Sequence, residues 1–375
     1  MSLKSIAATP GNQQPQLVDP LDARQPQDGE VLCETVYLGV CGTDREILHA
    51  ATPHVPEGES QLVLGHECLA RVLEVGSGVD LVKPGDLVVP AVRRPTTGST
   101  TEGIEAFKLN RRPDMMPWGA YVERGIVWEH GFSLPHWIDR PEFLYQVPAG
   151  IEEIAILSEP ISVSEKAVRE AEQAQAARLG TSEWIENPPR VLVTGMGPIA
   201  FAAVICCRAR GWNVTVYGRD AEDTFRANLV RGFDAQYVNA DTLSFSPDNV
   251  EQEGYELVLE CTGNDRVMMQ AAGLLAGCGI MVWLGASRLP QVREFDVNQI
   301  MRNAILGNHL YLGTVNNAPQ DMQSAINHLS NLYSQYGETI AQMITEQVDP
   351  SDSLWHYSNR EPQGIKTIVR YAGLT

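Results

Sequence analysis

The sequence predicts a two-domain α/β protein, a β-rich domain joined to a doubly wound parallel sheet. Three observations lead there. The chain has 375 residues, enough for two separate cores. Residues 1–150 carry short apolar runs divided by Gly and Pro. From Arg190 the texture changes to strands alternating with helices, the pattern of a parallel sheet with crossover helices.

In the first part, residues 31–37 and 69–75 read as strands, and Lys83-Pro84-Gly85-Asp86 reads as a turn into a strand at 87–89. Residues 93–118 have little periodicity and read as a long surface lobe. Residues 161–177 read as a helix, with Ser162 or Ser164 at its start. A polar joint at 180–190 follows. Strands are expected at 191–193, 214–217, 257–259 and 280–284, with a helix at 198–210. A helix at 320–336 and a strand at 365–371 are expected to return and complete the first domain. The domains are thus residues 1–180 with 316–375, and 181–315.

Charge and composition exclude several classes. The net charge of −19 repels nucleic acid and anionic membranes. Only five of the 28 basic residues are lysines; a saline habitat or an ordinary acidic enzyme would explain that balance equally. No run approaches a membrane span, and residues 1–6 lack the apolar core of a signal peptide, so a cytoplasmic location is expected. None of the seven cysteines forms a C-x-x-C pair, so no structural zinc is expected. Cys206 and Cys207 sit in an apolar helical run and read as core.

Cys41 is different, because glycines and polar residues surround it in Gly39-Val40-Cys41-Gly42-Thr43-Asp44. With His66 of Gly65-His66-Glu67 and Glu159 of Ser158-Glu159-Pro160 it forms a thiolate–imidazole–carboxylate set suited to Zn²⁺. Three protein ligands leave one position open, the mark of a catalytic zinc. Glu67 is either an alternate ligand or a group that orients the site. Thr43 is either a proton-passing hydroxyl or a turn residue. Alone, each residue also has a plain reading: a buried small residue, a core histidine, a helix N-terminal charge.

Residues 191–200 run strand, glycine turn, helix. Gly195, Gly197 and Ala200 supply the G-x-G-x-x-A pattern of a dinucleotide site, with Pro198 and Ile199 opening the helix toward the phosphates. At the end of the next strand, where an NAD site places a carboxylate, stands Gly218, followed by Arg219. A guanidinium there suits a 2′-phosphate, so NADP is preferred over NAD. Asp220 is the alternative carboxylate if the alignment slips by two. Further cofactor-binding candidates are Thr262, Gly263, Leu284, Gly285, Thr314 and Asn316.

These motifs resemble the zinc-dependent medium-chain dehydrogenase/reductase superfamily, and more narrowly the archaeal-type glucose 1-dehydrogenase family. The match is carried by residues 40–44, 62–67, 89–95, 112–115, 121–126, 130–131 and 159–166. The resemblance implies a GroES-like catalytic domain, a Rossmann cofactor domain, and zinc held by Cys41, His66 and Glu159, with Glu67 as exchangeable fourth group. It implies that Glu123 and Asn316 hold sugar hydroxyls, with Thr43 and Glu159 also at the substrate, and that Asn308 fits a Leu-His-Asn-Lys motif. Three departures stand out. Gly307 and His309 replace that motif's His and Lys, no Cys occurs in the 93–118 lobe, and Cys41 stands where halophilic relatives tend to carry Asp.

The resulting expectation is a zinc-dependent, NADP-preferring aldose dehydrogenase that oxidises the anomeric carbon to a lactone. It would hold one catalytic zinc and act on a small sugar as a homo-oligomer (dimer or tetramer), without nucleic-acid or membrane partners. Alternatives are a polyol or secondary-alcohol dehydrogenase on the same scaffold, and a non-catalytic nucleotide-binding redox sensor.

Overall fold

The computed structural model describes residues 3–21, 24–96, 112–180, 183–240, 254–286 and 293–374. Contacts divide the chain into two compact units. One comprises Met1–Glu159, Asn316–Tyr333 and Met343–Thr375; the other comprises Pro160–Val315 and Ser334–Gln342.

The first unit is built on a seven-stranded sheet whose central strand is Val31–Val40. Glu67–Val75 and Lys366–Arg370 flank it, both antiparallel to it. The register pairs Gly39 with Glu67 and Val40 with Thr367. Residues 39–41, 66–67 and 366 are therefore brought to one end of the sheet, although the chain separates them by about its whole length. Val36, Leu38 and Val40 are buried with Leu64, Phe132 and Trp137 beneath them. Each such side chain contributes roughly 1.5–3 kcal/mol on burial. His136–Asp139 adds a third neighbour to the same central strand.

A second, small sheet joins Arg93–Pro95 to Tyr121–Arg124 and Trp128–Glu129. Of the lobe expected at 93–118, residues 97–111 lie outside the described residues. Its described remainder is this first strand and a single 3₁₀ turn at Pro113–Met115.

The second unit contains a six-stranded parallel sheet. In order of first appearance its strands are Arg190–Thr194, Asn213–Gly218, Gln236–Asn239, Tyr255–Glu260, Leu275–Trp283 and Leu310–Gly313. They lie in the order 3-2-1-4-5-6, the doubly wound arrangement in which ligands bind where the order reverses. Cys206 and Cys207 are fully buried in the helix Pro198–Ala209.

The division differs from the expected one along the helix Ser158–Leu179, where residues up to 180 were assigned to the first domain. Its contacts explain the difference. Ser164 Oγ donates to Ile199 O at 3.1 Å, Cys206 Sγ lies 3.5 Å from Ile161 O, and Lys166 Nζ donates to Val315 O at 2.8 Å. Glu165 and Glu172 also hold Arg210. The helix is thus bonded to the parallel-sheet unit from its second residue pair onward, a fact that helical periodicity does not carry. The helix Pro319–Ala341 is likewise shared between the two units.

Candidate functional site

Cys41 ends the central strand and caps the helix Gly42–Ala50. The cap is held by Asp44, whose Oδ2 accepts from the Cys41 backbone N–H at 2.9 Å. Asp44 Oδ1 lies 3.6 Å from His66 Nδ1, with both side chains buried. A carboxylate against one imidazole nitrogen turns the other toward a ligand, a common orienting arrangement for a metal-binding histidine. Asp44 was not among the site residues expected from the sequence; the signal was its spacing of three from Cys41, the reach of a capping side chain.

Ligand atoms of Cys41, His66 and Glu67 all lie within 4.8 Å of one another, the one such group among the described residues. Glu159 is outside that group by this measure. It is buried nearby and feels its charges: burial pushes its carboxyl up to about 7, Glu67 and Glu123 add to the rise, and His66 and Lys366 oppose it. Burial lowers the pKa of His66, but Cys41 and Asp44 outweigh it and hold it well above the ordinary histidine range. A thiol, an imidazole and a carboxylate whose donor atoms converge fit a borderline-soft divalent metal such as zinc.

Glu67 has a partner that sequence reading did not anticipate. Lys366, 1% exposed, bonds both carboxylate oxygens, at 2.6 Å to Oε1, and also reaches Val40 O at 3.4 Å. Gly39 makes room for this pair, since a Cβ there would stand 2.2 Å from Glu67 Oε2. In this structure Glu67 is therefore held by lysine. The lysine was hidden because nothing local marks residue 366 as anything but the start of a strand.

Glu123 and Asn316 do meet. Asn316 Nδ2 donates to Glu123 Oε1 at 2.8 Å, and Arg93 Nε donates to the same oxygen at 2.8 Å. Arg93 is in turn fixed by Asp114 O and lies 4.0 Å over the Tyr121 ring. Both bonds fall on Oε1. Thr43 is half-buried in the first turn of the helix that Cys41 caps.

In the second unit the cofactor candidates collect at the carboxyl ends of the parallel strands. Gly195 N–H donates to Tyr217 O. Glu260, fully buried, accepts from Thr262 N and Gly263 N, while Leu284 N and Gly285 N donate to its carbonyl. Thr314 N donates to Trp283 O. Gly197 caps the helix that begins with Pro198, Ile199 and Ala200. At Gly218 a Cβ would stand 2.6 Å from Met196 Cγ and 2.9 Å from Tyr237 Oη, so a side chain there would have to displace them. Asp220 is engaged by Arg226 through two 2.7 Å bonds, which leaves exposed Arg219 as the group presented at this strand end. Asn308 caps the helix Val297–Gly307 in a left-handed conformation. Beside it the His309 ring occupies the space of any side chain at 307, only 2.2 Å from where a Cβ would stand.

The glucose dehydrogenase C-terminus family matches residues 152–371, and the alcohol dehydrogenase GroES-like domain matches residues 27–134. The first of these covers more than half of the chain. The chain belongs to the glucose dehydrogenase family. Within that family it is 32% identical to glucose 1-dehydrogenase 1 of Caldivirga maquilingensis over 98% of both chains. It is 33% identical to glucose 1-dehydrogenase of Thermoproteus tenax, over 92% of this chain and 93% of the other. The structure of Haloferax mediterranei glucose dehydrogenase in complex with NADP, zinc and gluconolactone matches with a TM-score of 0.85. That match has 28% identity and covers 98% of this chain and 99% of the other. The family's fold, a GroES-like domain with a Rossmann-type parallel sheet, is the fold seen here.

The Lys366–Glu67 pair carries a stability prediction. Removing one partner of a buried ion pair typically costs about 3–5 kcal/mol, because the other charge stays buried. Lys366→Met should destabilise the metal-free protein by about that amount in urea unfolding, and Lys366→Met/Glu67→Gln by clearly less than the sum of the two single changes. Strict additivity would mean that the two side chains do not interact.

Proposed function

We propose that this chain is a zinc-dependent glucose 1-dehydrogenase that prefers NADP and converts the anomeric CH–OH of an aldose to a lactone. The observation that carries this reading is the convergence of Cys41, His66 and Glu67, with buried Glu159 close enough to feel their charges, in the unit where Asn316 and Arg93 fix Glu123. Its family membership and its similarity to an NADP-, zinc- and gluconolactone-bound relative support it.

Cys41, His66 and Glu159 hold the metal, and Asp44 keeps His66 in the ligating orientation. When bound, zinc supplies the Lewis acidity that favours ionisation of the substrate hydroxyl, and a nicotinamide dinucleotide accepts the hydride. Glu123 accepts a sugar hydroxyl on Oε2 while Asn316 and Arg93 keep its carboxylate in place. Thr43 Oγ1 takes the departing proton toward solvent. Lys366 neutralises Glu67, so the cluster retains two rather than three uncompensated anionic ligands. Gly195, Gly197, Pro198, Ile199 and Ala200 cradle the pyrophosphate, with Thr262, Gly263, Leu284, Gly285 and Thr314 along the adjacent strand ends. Arg219 pairs with the 2′-phosphate, and Gly218 offers no carboxylate to oppose it. Gly307 and His309 favour a second reading, a related aldose or polyol as substrate, because the family's histidine and lysine are both absent there.

The enzyme acts in the cytoplasm as a homodimer. Leu310–Gly313 is an edge strand of the parallel sheet, pairing among the described residues with Leu275–Trp283 alone. On the preceding helix, Ile305 and Leu306 are 72% and 67% exposed. From Val297 to Gln320 the chain has no Asp or Glu, although it contains 47 in all. Two copies of a chain with net charge −19 associate most easily where neither brings acid, and an open strand edge is a template for a second strand. No helix among the described residues is long and apolar enough to cross a membrane.

Three measurements check this. A panel of aldoses and polyols with NAD and NADP should show aldose oxidation, abolished in Cys41→Ala while NADP still binds; activity on polyols alone would overturn the aldose assignment. Arg219→Ala should raise the KM for NADP by about tenfold or more and leave that for NAD nearly unchanged; equal effects would free Arg219 of its role. Ile305→Asp should convert the dimer to monomer in sedimentation velocity, and an unchanged dimer would place the interface elsewhere.

A further inference from the structure

Arg124 follows Glu123 on the strand Tyr121–Arg124, so its side chain leaves the opposite face. It is 7% exposed, and its guanidinium lies 4.5 Å over Phe132 and 5.6 Å from the Trp137 ring. Burial lowers its pKa, which Asp139 and Glu129 partly offset. Arg94 occupies both oxygens of buried Asp139, at 2.6 and 2.7 Å. Glu129 reaches Arg124 Nη1 only at 3.5 Å and is itself 38% exposed. Two buried guanidinium groups therefore share one committed carboxylate. Nε of Arg124 is enclosed without a hydrogen-bond partner among the described residues, and Nη2 donates to nothing there either.

Arg124 lines a cavity of about 540 Å³. Across it stands His130, whose Nδ1 accepts the Val63 N–H at 3.1 Å. That bond fixes the proton on Nε2, which is also buried without a partner among the described residues. Arg24 and His136 stand on the same wall, and Trp128 and Trp137 give it aromatic faces. Among the described residues Glu129 is the one acid lining it. Arg24 is paired with Glu30, so Arg124 is the lining cation that lacks a matched carboxylate. Burying a cation without a matched anion costs several kcal/mol, and a ligand oxyanion removes that cost.

We propose that this cavity is a binding site for a small organic oxyanion, a carboxylate or phosphate monoester with an aromatic or apolar body. The oxyanion faces Arg124 and the body stacks on Trp128 and Trp137. The site is separate from the Cys41–His66 cluster and needs no metal. Because Glu123 and Arg124 are consecutive, an anion here sits one peptide away from the carboxylate that holds the sugar.

The test is calorimetric titration of the full chain with benzoate, phenyl phosphate, inorganic phosphate and neutral benzyl alcohol. Benzoate or phenyl phosphate should bind with Kd at or below about 1 mM, benzyl alcohol should not, and the stronger of the two anions names the source chemistry. Glu129→Gln removes the competing carboxylate and should tighten binding about fivefold or more. Loss of fold cannot mimic a gain of affinity. Arg124→Met should abolish binding, and Cys41→Ala should leave it intact. Binding of benzyl alcohol equal to that of benzoate, no change in Glu129→Gln, or no anion binding up to about 10 mM would overturn the proposal.

Discussion

Everything at the candidate metal site depends on how buried negative charge is balanced at one end of a sheet. Cys41, Asp44, Glu67 and Glu159 bring acidic groups together where an isolated buried charge is costly. Lys366 offsets one of them through Glu67, and Cys41 and Asp44 raise the pKa of His66 against the lowering by burial. A divalent cation is the group that would offset the others. The geometry follows from pairing register: the strand containing Gly39, the strand beginning at Glu67 and the strand beginning at Lys366 end together because their hydrogen-bond ladders align them.

The elements that could be read from the sequence were those in which neighbours carry the signal. The strand–turn–helix of residues 190–209 and the alternating strands after it are local patterns, and the parallel sheet follows from them. Cys41, His66 and Glu123 were visible because each stands in a short distinctive context. Asp44 was within reach as a capping residue but its second task, facing His66, requires knowing that residue 66 lies beside it. Lys366 was invisible for the same reason at a larger scale, with 299 residues separating it from Glu67. The helix Ser158–Leu179 contacts the parallel-sheet unit, which its capping serine and helix-forming composition could not show.

Two departures from the family pattern meet in space. Gly307 and His309 read in sequence as two independent losses. In the fold the imidazole of His309 lies across Gly307, so a side chain at 307 would have to displace it. A similar crowding holds at the strand end after Tyr217. There Met196, Tyr237 and Arg226 close off both Gly218 and Asp220, which leaves Arg219 as the exposed group.

The position of Lys366 in the chain has a consequence for biogenesis. The ribosome releases residues 41 and 66 long before residue 366 exists. Until the final strand docks beside Val31–Val40, Glu67 has no counter-charge, and the cluster around Cys41 carries an excess of negative groups. The charge balance of the pocket is thus completed only when the strand Lys366–Arg370 joins the sheet, so strand docking and site electrostatics are one event.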